Sequence, residues 1–243
     1  KVGAYAFMII LNKVEKLNCD TVITLGNFDG VHIGHRKLIE ETKVLAKKMN
    51  AKSLVFSFFS HTNQVLENSK FKTIFTRNEK IFILKSLGID YFLEILFDKT
   101  VAQIKSQEFL NLLIKNLNCK ALVLGNDCKF GSDKSKYESK FIKRISDVTF
   151  DGKKISSSYI RSLIQQKNFI LAEKLLGGKY FIMQKKSDNN FENKLLPPNG
   201  SYSTKIFVDN REFNVITDID SRNQIVKINT PQKIFSKPAL IYF

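Results

Sequence analysis

Residues 26–35 read Gly-Asn-Phe-Asp-Gly-Val-His-Ile-Gly-His and hold two of the three histidines in the chain. A spacing of three puts the imidazoles of His32 and His35 near one turn, facing one pocket. Such a pair can donate hydrogen bonds to charge that develops on a phosphate during its transfer. Gly34 between them lets the backbone approach phosphates where a side chain would stand in the way. Two blander readings stay open: a zinc site, for which no further Cys or His partners lie nearby, and a structural turn with incidental histidines.

Two further groups of residues carry chemistry. Ser156-Ser157-Ser158 followed by Arg161 offers hydroxyls and unpaired backbone N–H groups at a helix start. The guanidinium, one turn in, can make a fork to phosphate oxygens. The alternative is a serine-capped helix with a surface arginine. The loop Gly125–Gly131, taken with Phe58 and His61, can hold a second substrate, or Mg²⁺ through Asp127; each of these side chains can equally be an ordinary loop residue. Asp29 is open between a ligand-binding residue and a turn-former.

The elements that must position these groups alternate. Strands are expected at Thr21–Leu25, Ser53–Phe59, Tyr91–Ile95 and Ala121–Leu124, and helices at Arg36–Asn50, Arg77–Leu87 and Ser106–Asn116. That alternation predicts a parallel sheet covered on both faces. Ligands of such sheets bind at the carboxyl ends of the strands, so the loops from Gly26, around His61 and from Gly125 share one rim. A strand–turn–helix arrangement at residues 21–36 favours an anion through the helix dipole and its unpaired N–H groups. Further on, a strand is expected within Ile142–Phe150, with helices at Tyr159–Gln166 and Phe169–Leu176. Beyond Lys179 the character changes: short alternating runs at Tyr202–Val208, Glu212–Thr217 and Gln224–Asn229 predict a small antiparallel unit. The expected division is 8–180 and 181–243, with the second part leaning on the first because about 60 residues make a marginal core.

Composition bounds the rest. The chain has 243 residues, 43% hydrophobic and 26% charged, as a globular protein requires. No apolar run reaches the ~18–20 residues of a membrane span and no secretory leader is laid out, which reads as a cytoplasmic protein without a membrane partner. The chain opens on Lys1, and the fold reading starts at Met8. Cys19, Cys119 and Cys128 are widely spaced and odd in number, which suggests reduced thiols and neither disulfide nor zinc. The net charge of +16 is almost all lysine, because arginine occurs only at 36, 77, 144, 161, 211 and 222. Lysine is spread without a long block, so the surface attracts anionic small molecules and is not expected to be a nucleic-acid interface.

The run Thr24-Leu25-Gly26-Asn27-Phe28-Asp29-Gly30-Val31-His32-Ile33-Gly34-His35 resembles the signature of the prokaryotic FAD synthetase family, ordinarily bifunctional riboflavin kinase/FMN adenylyltransferases of the nucleotidylyltransferase superfamily. Thr76-Arg77-Asn78-Glu79-Lys80 with Leu87-Gly88-Ile89-Asp90, Phe97-Asp98 with Ser106 and Phe109, Gly125–Gly131, Ile155–Arg161 and Leu175–Tyr180 resemble further family segments in the same order. The resemblance implies a Rossmann-like α/β parallel sheet followed by a small antiparallel β unit, a truncated barrel. It implies transfer of AMP from ATP to FMN, giving FAD and pyrophosphate. His32 and His35 would stabilise the transferring phosphate, and Ser157, Ser158 and Arg161 the leaving pyrophosphate. Gly26, Asn27, Phe28, Asp29 and Gly34 would form the ATP pocket; Phe58, His61 and Asp127 would line the FMN side. Mg²⁺ would bridge the phosphates, with Asp127 a candidate ligand. Another phosphorylated acceptor, or a non-catalytic flavin- or nucleic-acid-binding relic, are the alternatives.

The chain also departs from the family pattern. Phe58-Phe59-Ser60-His61-Thr62 replaces Phe-Glu-Pro-His-Pro, and Cys128 replaces a phenylalanine. The stretch between Gly131 and Ile142 is short, as though a helix were missing. After Tyr180 no Gly-Arg-x-x-Gly-x-Pro-Thr-Ala-Asn segment follows, although Leu196–Tyr202 echoes the kinase's Leu-Pro-x-x-Gly-x-Tyr. A degenerate, truncated kinase unit without riboflavin kinase activity is therefore expected.

Overall fold

The structure is a computed structural model that describes residues 7–58, 72–136, 138–184, 191, 193–209, 211–229 and 239–243. Six parallel strands form its main sheet: β1 (Ile9–Leu11), β2 (Thr21–Leu25), β3 (Lys52–Phe58), β4 (Tyr91–Ile95), β5 (Cys119–Gly125) and β6 (Ile142–Ile145), in the order β1-β4-β3-β2-β5-β6. All five residues of β2 are buried, as a central parallel strand with helices on both faces demands. Side chains alternate between two cores. Val55 and Phe92 join α1 (Ile33–Lys48), α2 (Arg77–Ser86), α5 (Ser157–Gln165) and α6 (Phe169–Leu176) on one face. Leu54, Phe56 and Leu93 face α4 (Ser106–Leu117) on the other, the period of two that a strand imposes.

From β2 the chain runs outward through β3 to β4, then returns to build β5 and β6 on the opposite side. The order therefore reverses at β2, and a ligand crevice opens beyond the carboxyl ends of β2 and β5 at that switch point. The loops from Gly26 and Gly125 share that rim, as the alternation predicts. His61 lies outside the described residues.

Several expectations shift. α1 begins at Ile33, three residues before Arg36, because His32 and not a later residue caps it. The strand expected across Ile142–Phe150 breaks after Ile145. Thr149–Phe150 (β7) instead pairs with Lys153–Lys154 (β8) around the Asp151-Gly152 turn, since Asp151 and Gly152 take positive φ of 48° and 72°. A short helix, α3 (Lys99–Gln103), is capped by Asp98, whose carboxylate accepts the Val101 N–H at 2.8 Å. Between Gly131 and Ile142 the described residues form a turn with a Phe130–Ser135 bridge and no helix.

Five antiparallel strands follow, β9 (Phe181–Gln184), β10 (Gly200–Val208), β11 (Arg211–Asp220), β12 (Ile225–Asn229) and β13 (Ala239–Tyr242), in the order β12-β11-β10-β13-β9. They enclose a small core of Ile182, Leu196, Ile206, Ile219, Val226 and Ile241. The unit does lean on the first sheet: Tyr180, Phe181, Leu195 and Leu240 share one apolar cluster with Met8, Phe28, Val31 and Leu84. No helix among the described residues is long and apolar enough to cross a membrane.

Candidate active site

Gly26 follows β2 directly, and Phe28, Gly30 and Val31 take positive φ of 49°, 78° and 40°. A positive φ at a β-branched residue is strained. It persists here because Phe28 and Val31 are wholly buried and hold the turn in place. At Gly30 the φ of 78° favours glycine, and a Cβ there would lie 2.9 Å from Ile74 Cδ1 and push that side chain aside. The turn sets His32 as the N-cap of α1, where its Nδ1 accepts the His35 N–H at 3.4 Å. His32 therefore carries its neutral-state proton on Nε2. The two imidazoles stack with centroids 3.7 Å apart, and the Phe28 ring lies 5.2 Å from His35. A Cβ on Gly34 would meet His32 Nδ1 and Cε1 at 3.2 Å, so Gly34 makes room for the stack.

Burial pushes His32 from 6.5 down to about 4, with the charge of Lys154 adding to the effect. Burial also takes His35 well below its ordinary value, helped by His32 and Lys80. Both rings are neutral at pH 7. The buried Nδ1 of His35 has no partner among the described residues. Of the first-turn N–H groups of α1, that of His35 is taken by His32 Nδ1, and those of Ile33 and Gly34 have no intrahelical acceptor and can face an anion.

A second helix start meets the first. Ser156 caps α5, accepting the Tyr159 N–H at 3.2 Å, and Ser157 Oγ donates to the Asp29 carbonyl at 2.9 Å. One Nη of Arg161 donates to Asp29 Oδ2 at 2.6 Å; the other lies 3.4 Å from Ser158 Oγ. Asp29 Oδ1 accepts the Ile74 N–H at 2.8 Å. Asp29 is only 4% exposed and both its oxygens are engaged. It orients Arg161 from beneath instead of facing the cleft.

A cleft of about 290 Å³ brings together His32, Gly34, His35, Ser157, Gly125 and Asp127. Leu38, Ile145 and Val148 give it an apolar wall. Gly26, Asn27, Phe28, Asp29, Ser158 and Arg161 are not among the residues that line it. The Asn27 carbonyl accepts from Lys80 Nζ at 3.2 Å and Ser57 Oγ at 3.2 Å. Phe58, at the end of β3, packs edge-on against Phe56 and Phe97, so part of its ring belongs to the core.

Lys154 was not legible as a site residue, because Lys153-Lys154 reads as ordinary surface charge. The β7–β8 hairpin carries it to the cleft, where its Nζ bridges Asp127 and Asp147. The hydrogen bond from Lys154 holds the Asp127 carboxyl below the usual carboxylate range. Asp127, the candidate Mg²⁺ ligand, is paired here with the Lys154 ammonium while its side chain stays largely exposed to the cleft side.

Behind the turn, the Thr76–Lys80 segment acts structurally. Thr76 and Glu79 form a capping box at α2. Lys80 and Arg77 flank the buried Glu94 at 3.0 and 2.6 Å.

A parallel α/β sheet whose order reverses at a strand–turn–helix, with two helix N-termini and two neutral imidazoles at one crevice, defines a doubly wound, Rossmann-like protein. Residues 14–162, more than half of the chain, match the FAD synthetase family, and the chain belongs to that family. It is 34% identical over 176 residues to the bifunctional riboflavin kinase/FMN adenylyltransferase of Escherichia coli (strain K12), covering 66% of this chain and 55% of that protein. The protein of that description from Buchnera aphidicola subsp. Schizaphis graminum is 32% identical over 186 residues, covering 71% and 59%. The chain thus spans less than two thirds of these relatives' length. The Bacillus subtilis relative is 29% identical over 239 residues, covering 85% and 73%. In fold, the chain matches a crystal structure described as a macrolide-efflux protein from Streptococcus pneumoniae, with TM-score 0.84 and 24% identity over 97% of this chain and 89% of that one.

Proposed function

We propose that this protein is an FMN adenylyltransferase, joining AMP from ATP to FMN with release of pyrophosphate. One observation carries the reading: the stacked pair His32–His35 and the starts of α1 and α5 converge on one cleft at the switch point of the sheet. The phosphate oxygen of FMN attacks the α-phosphorus of ATP, the bond to the β-phosphate bridging oxygen breaks, and pyrophosphate leaves. Such a transfer needs positioning and charge neutralisation more than a protein nucleophile.

In this reading the Nε2–H of His32 and the Ile33 and Gly34 N–H groups at the start of α1 stabilise charge on the transferring phosphate. Ser157, Ser158 and the Asp29-oriented Arg161 hold the leaving pyrophosphate, and Lys154 exchanges its carboxylate partners for phosphate oxygens. Asp127 then serves as the resting partner of Lys154, and Mg²⁺ enters as part of the MgATP substrate. Residues 8–180 form the adenylyltransferase module and 181–243 a degenerate kinase-like β module, so riboflavin is not phosphorylated. The partners are small molecules, in the cytoplasm. FAD formation from FMN and MgATP, set against His32→Ala, is the direct test; equal FAD yields from the two proteins would sink the reading. FMN formed from riboflavin and ATP would refute the kinase part alone.

A further inference from the structure

The charge balance of the site reaches into the C-terminal β unit through one lysine, between β9 and β10. Lys194 is fully buried, and its ammonium donates to Glu79 Oε2 at 2.7 Å, the Ile74 carbonyl at 2.9 Å and the Phe181 carbonyl at 3.0 Å. All three of its protons are thereby used. The rings of Phe75 and Tyr180 lie 4.9 and 5.0 Å from the same nitrogen. Glu79 Oε1 accepts the Met183 N–H at 2.7 Å, so the pair binds α2 to β9 as well.

The neighbouring backbone is clamped in the same direction. The Thr73 N–H donates to the Asn193 carbonyl and the Leu195 N–H to the Thr73 carbonyl, both at 2.7 Å. Ile74 then has two duties. Its carbonyl accepts from Lys194, and its N–H donates to Asp29 Oδ1. The other oxygen of Asp29 holds Arg161 at 2.6 Å. The route Lys194–Ile74–Asp29–Arg161 runs through hydrogen bonds on either side of the Ile74 backbone, with Lys194, Ile74 and Asp29 buried and Arg161 largely so; in such low-dielectric surroundings hydrogen bonds are strengthened.

The geometry points to Lys194 as a positioning residue for the pyrophosphate side of the cleft, and to the C-terminal β unit as the brace that aims Arg161. This rests on the role proposed for Arg161 above. It gives the unit a function that needs no second active site: its 193–195 segment holds residues 73 and 74 in register, and that register fixes the carboxylate behind the arginine.

Glu79→Gln/Lys194→Met replaces the pair with neutral side chains of similar volume and so avoids stranding one buried charge. In this variant the Arg161 guanidinium NMR signals, assigned by their loss in Arg161→Lys, shift or broaden. KM for ATP and the inhibition constant of pyrophosphate rise about fivefold, within the range for a change that acts through intermediate contacts, while KM for FMN is unchanged. In an Asp29→Asn background the same replacement adds no further ATP-side effect, because the route runs through Asp29. Unmoved Arg161 signals with unchanged ATP constants in a folded variant overturn the proposal, as do equal increments in the two backgrounds. If the variant does not fold, hydrogen exchange on the unaltered protein decides by reciprocity. Pyrophosphate with Mg²⁺ then slows exchange at the Ile74 and Leu195 amides along with Ser158; protection at Ser158 alone overturns the brace. A protein that makes no FAD sinks the adenylyltransferase reading, whereas the Arg161 signals still test the brace.

Discussion

Lowering the pH tests the stacked histidines without altering the fold by design. In the folded protein His32 titrates at about 4, against 6.5 for the free side chain, because burial disfavours its charged form and Lys154 repels it. The unfolded chain binds a proton between these values that the folded chain refuses. Stability is therefore fully present above about pH 6.5 and is lost as pH falls through the window toward 4. Moving the midpoint from 6.5 to about 4 makes His32 alone responsible for roughly 3 kcal/mol, at about 1.4 kcal/mol per pH unit. About 2 kcal/mol of that is gone by pH 5. His35 acts with the same sign. Urea denaturation of the unaltered protein and His32→Gln from pH 7.5 to 4.5 reads the difference: the unaltered protein loses stability more steeply. NMR of histidine-labelled protein locates the midpoint directly, and MgATP raises it because phosphate favours the protonated ring. A folded-state midpoint near 6.5, or parallel stability curves for the two proteins, would refute the argument that burial keeps the pair neutral.

Other outcomes follow from the same geometry. Gly34→Ala raises intrinsic helix stability by up to about 1 kcal/mol, yet its Cβ presses on the His32 ring at 3.2 Å; a variant as active as the parent would show that the stack does not matter. Lys154→Met raises KM for ATP and moves the His32 midpoint upward, though not to 6.5, since burial persists; steady-state kinetics and the histidine titration measure each effect. Glu94→Gln strands the buried Lys80 ammonium and destabilises the protein by roughly 3–5 kcal/mol in chemical denaturation, and a change below 1 kcal/mol would count against the pairing as drawn. Asp127→Asn leaves the Mg²⁺ concentration dependence of FAD formation unchanged, whereas a shifted dependence would restore Asp127 as a ligand.

The signature turn was legible because its chemistry is local: strand, positive-φ turn, capping imidazole and helix follow one another within fifteen residues. The central strands were legible because burial on both faces leaves continuous apolar runs, as at Val22-Ile23 and Leu122-Val123-Leu124. Edge strands β1 and β9 and the distant β13 were not, since three or four apolar residues also suit a loop or a core-facing helix. Asp29 was left between ligand and turn-former because its partners, Ile74 and Arg161, lie 45 and 132 residues away. Lys154 and Lys194 look like every other lysine in a lysine-rich chain; only tertiary pairing separates a cleft cation and a buried one from solvated surface charge. The segment Thr76–Lys80, noticed as a family resemblance, acquires its physical reason only when Glu79 meets Lys194 and Lys80 meets Glu94.

Met8 and Leu240 belong to one apolar cluster, which has a consequence for synthesis on the ribosome. The core beneath the histidine turn cannot close until residues around 240 have emerged, because Phe181 and Leu240 supply part of its wall. Until then the nascent chain shows the apolar faces of α2 and α6 to solvent, in the window where long-range contacts make folding slow and aggregation-prone. A stalled chain ending before residue 239 stays open to protease at residues 73–75. The order in which the chain is made thus delays assembly of the cleft beside the histidine turn until the β unit has been delivered.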